Sequence, residues 1–349
     1  MVDYDLLVPY GWTEAVANEY EALIMDGCVP ARVIRMDRSE CDVATPSGRA
    51  RARCPRADAE ISGLCTGDWV GIDAESNVRQ LFPRRSAIVR SSVSGRSHGQ
   101  VLAANVDTVL ICTAADADVD LGRIERMLAL AWESNAQPIV LLTKVDAALD
   151  IPIDEVRPIA PGATVLAVSA SSGAGLDMLA AMLDGTVVLL GPSGAGKSTL
   201  ANALLGRDVF VTNSVRTADK KGRHTTVHRE LQPLPGGGTL IDTPGLRGIG
   251  LWNAAEGIEK TFSDLEALAE QCRFGDCAHN GEPGCAVGEA IDNGELTQRR
   301  FDSYRKLARE NAWMAARTDK RLQAERERAW RDITKQHRRT YQERNSQRR

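Results

Sequence analysis

The stretch "VVLLGPSGAGKSTLANAL", Val187 to Leu204, decides the fold. It reads as a buried strand, a glycine-rich turn and a helix. Gly191-Pro192-Ser193-Gly194-Ala195-Gly196-Lys197-Ser198 fits the pattern G-x-x-x-x-G-K-[ST], and Thr199 completes the set assigned to nucleotide. The glycines let backbone N–H groups point at phosphate oxygens. Lys197 neutralises the β- and γ-phosphates, and the Ser198 hydroxyl ligates Mg²⁺. Such a unit ordinarily begins a nucleotide-binding domain. Here it starts past the middle of a 349-residue chain, so the residues before it need a role.

Downstream, "TLIDTPGLRG" places Asp242 at the end of an apolar strand, where a second carboxylate holds Mg²⁺ through water, with the Gly245 N–H available to the γ-phosphate. Between the two motifs lies "KKGRHTTVH", whose Thr225 or Thr226 is expected to reach Mg²⁺ as a switch residue. These motifs serve ATP or GTP equally, and the base must decide. Upstream, "PIVLLTKVD" ends a strand with Thr143-Lys144-Val145-Asp146, matching the [NT]KxD guanine motif. A carboxylate at Asp146 accepts from guanine N1–H and the 2-amino group, donors that adenine does not present, while the Lys144 stem covers the base. "LAVSASSG", with Ser169 and Ala170, fits the loop that reaches the base oxygen through backbone N–H. The order is base motif, base loop, phosphate loop, switch threonine, DTPG. Ordinary GTPases run the other way round, from phosphate loop to base motifs, so the domain reads as circularly permuted. The segment after DTPG then runs directly into the C-terminal region.

The rest of the chain supplies two further modules. Residues 11 to 26 place Trp12, Val16, Tyr20 and Leu23 at helical spacing. From Val29, five short and partly alternating runs ("VPARVIRM", "CDVATP", "RARARCP", "DWVGIDA", "NVRQLFP") fit a small β-barrel, an architecture that binds nucleic acid or protein. From Asn105 strand and helix alternate, which predicts a mostly parallel sheet with helices on both faces. Cys272-x4-Cys277-x-His279-x5-Cys285 offers three thiolates and one imidazole, a complete tetrahedral set for one structural Zn²⁺. From Gln298 the chain reads as a long charged helix. Residues 299 to 349 carry 17 Lys/Arg against 7 Asp/Glu, so a basic tail follows an acidic body within a net charge of −4. That asymmetry points to a polyanionic partner touched at one end. The apolar runs are too short to span a bilayer and "MVDYDLL" lacks a signal peptide's basic flank, so a cytoplasmic protein with no membrane association is expected. Nothing in the sequence asks for an oligomer, and a monomer is expected.

Taken together, these motifs resemble the circularly permuted, ribosome small-subunit-dependent GTPase A family of bacteria. The likeness covers nearly the whole chain: "GDWV" (Gly67 to Val70), "PRRSAIVR" (Pro83 to Arg90), the permuted domain, "GRHTT", "DTPGLR" and the cysteine–histidine cluster. It implies a multidomain protein. Residues 1–26 form a helical extension, 27–90 a barrel of OB-fold type and 91–255 the permuted α/β P-loop GTPase domain, with the zinc-binding module and basic helix over 256–349. The implied activity is GTP hydrolysis to GDP and phosphate, stimulated by the 30S subunit in late small-subunit maturation, with barrel and zinc module contacting 16S rRNA. Leu246 stands where Ras-like enzymes carry the glutamine that orients water, and the resemblance points to His224 of "GRHTT" for that task, beside Lys197 and Thr225 as the catalytic set. Two rival readings remain open at this stage. One is a P-loop ATPase or kinase, and the other is an RNA-binding protein using GTP as a conformational latch without significant turnover.

Overall fold

The computed structural model describes residues 3–37, 39–54, 63–90, 100–210, 229–242 and 250–318. The five alternating runs become β1 (Val29–Met36), β2 (Glu40–Thr45), β3 (Gly48–Arg53), β4 (Trp69–Ile72) and β5 (Val78–Leu81), an antiparallel sheet in the order β3-β2-β1-β4-β5. A parallel bridge from Arg53 to Asn77 brings its two outer strands together. Alternation along the strands gives this sheet two apolar faces. Ala31, Val33, Cys41, Val43, Ala52 and Val70 pack on one side. Ile34, Ala44, Trp69 and Phe82 form the other, covered by Leu7, Trp12, Val16 and Tyr20 of the N-terminal segment. The helix in that segment is shorter than its spacing predicts. α1 (Glu14–Tyr20) gives way to a 3₁₀ turn at Glu21–Leu23, whose tighter winding rotates Leu23 off the stripe and leaves it 43% exposed.

A two-stranded ribbon, β6 (Ala87–Arg90) and β7 (Gln100–Ala104), leads to the second sheet. Its elements run β8 (Thr108–Ala114), α2 (Leu121–Glu133), β9 (Gln137–Thr143), α3 (Ile153–Val156), β10 (Thr164–Ala167), α4 (Leu176–Met182), β11 (Thr186–Leu190), α5 (Lys197–Leu205), β12 (Leu231–Pro233) and β13 (Thr239–Asp242). The order is β10-β9-β8-β11-β13-β12, parallel except for the edge strand β12. Strands buried on both faces need continuous apolar runs, which "TVLIC", "PIVLL" and "TVVLL" supply. Leu110, Leu141, Val187, Leu189 and Leu240 meet Leu179 of α4 and Leu200 of α5. Val109, Ile111, Val140, Val188 and Ile241 face α2 and, beyond it, the C-terminal helices.

Those helices are α6 (Ala255–Thr261), α7 (Ser263–Ala269), α8 (Ala286–Asp292) and α9 (Gln298–Thr318). Their apolar residues Ile258, Phe262, Val287, Phe301 and Leu307 belong to the same core as α2. At Gly257 of α6 a Cβ would overlap the Ala129 carbonyl of α2, so only glycine permits this approach. An ion cluster pins the joint. The carboxylate of Glu125, wholly buried on α2, accepts from Arg299 Nη2 (2.9 Å) and Arg300 Nη1 (2.9 Å) on α9, and Arg300 also donates to Asp264 (2.6 Å) and to the Thr261 carbonyl (2.8 Å). The five-stranded sheet is joined by a second buried cation. Arg32 Nη2 donates to Thr186 Oγ1 at the start of β11 (2.9 Å) and lies 4.7 Å over the Trp69 ring, and burial lowers its pKa to about 10. Among the described residues no helix is long and apolar enough to cross a membrane.

Removing one member of a buried ion cluster leaves its partners desolvated and uncompensated. Glu125→Ala is therefore expected to destabilise the protein by about 3 kcal/mol, read as a fall in the urea unfolding midpoint. An unchanged midpoint would show that the clamp is dispensable.

Candidate active site

From β8 the chain winds outward to β9 and β10, and from β11 it winds the other way to β13. The two loops that leave β8 and β11 at their carboxyl ends therefore part company, and a crevice opens between them. In parallel sheets such a switch point is where ligands bind. The phosphate loop, Gly191 to Ser198, occupies it. Gly191 has φ +148°, and a Cβ there would overlap the Cys112 carbonyl of β8. The loop ends in α5, whose first residues are Lys197 and Ser198, with Thr199 next. Lys197 is mostly buried, and its ammonium donates to the Gly191 (2.9 Å) and Pro192 (2.7 Å) carbonyls, while burial lowers its pKa. Those carbonyls hold the cation within the loop that would receive phosphate. Register does the rest: Leu189 of β11 pairs with Asp242 of β13, so Ser198 Oγ donates to Asp242 Oδ2 at 3.2 Å. A hydroxyl and a carboxylate so placed at the loop form a donor set suited to Mg²⁺.

The base motifs come to the same edge. Asp146 accepts from the Ser169 (2.6 Å) and Ser171 (2.7 Å) hydroxyls, which hold its pKa below the usual carboxylate value. Ala170 lies between those serines, partly buried against the α4–α5 face of the sheet. Lys144, in the left-handed region at φ +58°, donates to Asp116 at 3.0 Å. Thr143 Oγ1 lies 3.1 Å from the Thr113 carbonyl and 2.9 Å from that of Ala195, so the guanine motif is stitched to the phosphate loop itself. Sequence reasoning missed the parts played by Asp116 and Ser171. Their position was a signal: each follows the carboxyl end of a strand adjacent to β9, the strand that carries Thr143. Gly245, His224, Thr225 and Thr226 lie outside the described residues.

Away from this edge, Cys272, Cys277, His279 and Cys285 bring their ligand atoms within 4.8 Å of one another. His279 Nδ1 is 3.6 Å from Cys272 Sγ and 3.4 Å from Cys285 Sγ, and the Gly288 N–H donates to the Cys285 sulfur at 3.3 Å. Three thiols, one imidazole and a backbone N–H···S bond are the donor chemistry of a closed zinc site.

A phosphate loop at the switch point, with the base motif upstream of it in sequence but beside it in space, defines a circularly permuted P-loop GTPase. The RsgA GTPase family model matches residues 81–252. A Streptomyces avermitilis protein named small ribosomal subunit biogenesis GTPase RsgA is 54% identical over 93% of this chain and 90% of its own. A protein of the same name from Opitutus terrae is 43% identical over 93% and 94%. The chain belongs to the RsgA GTPase family and is a GTP hydrolase. Its fold is similar to the crystal structure of YjeQ from Thermotoga maritima, with TM-score 0.58 and 24% identity over 81% of this chain and 98% of that one. It is also similar to YloQ, a circularly permuted GTPase, with TM-score 0.58 and 23% identity over 82% and 96%.

The Thr143 hydroxyl has one proton to offer two buried carbonyls, the nearer being that of Ala195 at 2.9 Å. Thr143→Val keeps its shape and removes the donor, at a cost of about 1.4 kcal/mol. The expected outcome is a roughly tenfold loss of GTP affinity by calorimetric titration with the fold retained. Unchanged affinity would mean that the stitch does not shape the loop.

Proposed function

We propose that this chain hydrolyses GTP in the biogenesis of the small ribosomal subunit, and that engagement of the 30S particle raises its turnover. The observation that carries the reading is the meeting of the phosphate loop, the Ser198–Asp242 pair and the serine-bound Asp146 carboxylate at one sheet edge. The printed names of the relatives, each a small ribosomal subunit biogenesis GTPase, supply the setting.

In this reading Asp146 selects guanine, the Lys144 stem covers the base, and the Ser169–Ala170 loop reaches the base oxygen. Lys197 leaves the loop carbonyls to hold the β- and γ-phosphates. Ser198 and Thr225 ligate Mg²⁺ with Asp242 assisting, and the Gly245 N–H meets the γ-phosphate. The bound ion neutralises developing charge on the phosphates. Leu246 carries no group that can orient water, so turnover is slow until His224 is brought to the attacking water on the ribosome. One Zn²⁺ held by Cys272, Cys277, His279 and Cys285 folds the C-terminal module. The five-stranded sheet, with its outer strands bridged at Arg53 and Asn77, is read as an OB-type barrel that meets 16S rRNA together with the basic C-terminal helix. The chain works as a cytoplasmic monomer.

Phosphate release from GTP is expected to rise sharply on adding purified 30S subunits, while ATP is not turned over. His224→Ala should bind GTP normally and lose the stimulated component. GTP binding with no stimulation by 30S would instead support the latch reading, and equal turnover of ATP would sink the proposal.

Asp146→Asn replaces one acceptor oxygen by a donor N–H. Guanine then meets a donor where it offers one, whereas xanthine, with an oxygen at C2, gains a partner. GTP affinity is expected to fall by about 100-fold, the worth of a charge-assisted pair of roughly 3 kcal/mol, while xanthosine triphosphate affinity rises. Parallel loss of both nucleotides would remove Asp146 from base selection.

A further inference from the structure

Three of the eight cysteines belong to the cysteine–histidine cluster; two of the others meet inside the five-stranded sheet. Antiparallel register sets Cys41 of β2 opposite Ala52 of β3, and the Cys54 N–H, just past β3, donates to the Ser39 carbonyl at 3.0 Å. Cys41 and Cys54 are thus diagonal neighbours on the inward face, with sulfurs 3.4 Å apart. A disulfide needs an approach of only about 1.4 Å more. The two differ in access: Cys41 is fully buried, whereas Cys54 is partly exposed.

We infer that Cys54 and Cys41 form a peroxide-reactive dithiol, with Cys54 the attacking and Cys41 the resolving thiol. The Cys54 thiolate attacks one oxygen of hydrogen peroxide; the S–O bond forms, the O–O bond breaks, and the departing hydroxide is protonated to water. Cys41 sulfur then attacks the sulfenic sulfur. The S–S bond forms, the S–O bond breaks, and the hydroxyl leaves as a second water with the Cys41 proton. Sulfur is oxidised and peroxide reduced, two thiols and one peroxide giving one disulfide and two waters. The environment divides the roles in the same sense. The hydrogen bond with Cys41 and then the Arg51 guanidinium hold the Cys54 thiol below its ordinary pKa, while that bond and burial push Cys41 up. The new bond would tie the open end of the β2–β3 hairpin, opposite its turn at Thr45–Gly48 and beside the Arg53–Asn77 bridge.

The test is to treat the full-length, zinc-containing protein with one equivalent of hydrogen peroxide, alkylate the remaining thiols and analyse the peptides by mass spectrometry. The expected result is a Cys41–Cys54 cross-linked pair lighter by two hydrogens and restored by dithiothreitol, formed before any zinc release. In Cys41→Ser, dimedone should trap a sulfenic acid at Cys54. Both cysteines still fully alkylated after the zinc cluster has been oxidised would overturn the inference. So would a sulfenic acid that persists at Cys54 in the unaltered protein, since Cys41 would then not resolve it.

Discussion

A loop that aims its backbone N–H groups at phosphate cannot spend them on its own hydrogen bonds, so its shape has to be imposed from outside. Here the imposing contacts come from three neighbouring strands. β8 presses the Cys112 carbonyl against Gly191, where no side chain fits. β9 contributes the Thr143 hydroxyl, which reaches the Ala195 carbonyl from the far side. β13 brings Asp242 to Ser198 through its register with β11. All three depend on β11 lying in the middle of the sheet between β8 and β13. That position in turn depends on strands apolar enough to be buried on both faces.

Circular permutation leaves these contacts intact because each is a relation between strands in space. The α4 segment carries the chain from the edge strand β10 back to the centre at β11, as any crossover in a parallel sheet can. What changes is where the chain goes next. From Asp242 it proceeds, within a few residues, to Leu251, whose N–H donates to Glu310 of α9 at 3.2 Å. Glu310 also takes both Nη atoms of Arg126 on α2, at 2.6 and 2.7 Å. The strand that ends at Asp242 is thus followed closely in the sequence by a residue held on helix α9.

Much of this was legible because the motifs are short-range. The spacing from Gly191 to Ser198, the strand before it and the helix after it are all local, and so are Thr143 to Asp146 and the four residues of the cysteine–histidine cluster. What the sequence hid is what pairs across long separations. Glu125 and Arg300 read separately as ordinary helix charges, and only the packing of α9 on α2 reveals them as one buried cluster. Arg32 sits in "VPARVIRM" like any strand arginine, yet it crosses to Thr186. Cys41 and Cys54 looked like scattered cysteines because diagonal register, which joins them, is invisible before the strands are paired. Leu23 misled for the opposite reason: local periodicity was right for a helix that tightens one turn too early.

The five-stranded sheet and the C-terminal helix α9 each hold the chain where it leads back from one of the motif-bearing segments. The Thr66 hydroxyl, between β3 and β4 of the five-stranded sheet, donates to the Arg229 carbonyl at 3.3 Å, and Arg35 of β1 bridges to Glu230. Residues 229 and 230 are where the chain returns from the segment holding "GRHTT" to β12. Leu251 and Ala254 are where it returns from DTPG, and their N–H groups are held by Glu310 and Asn311 of α9. Each of the two segments expected to respond to the γ-phosphate therefore ends on a different neighbour, the first on the five-stranded sheet and the second on helix α9.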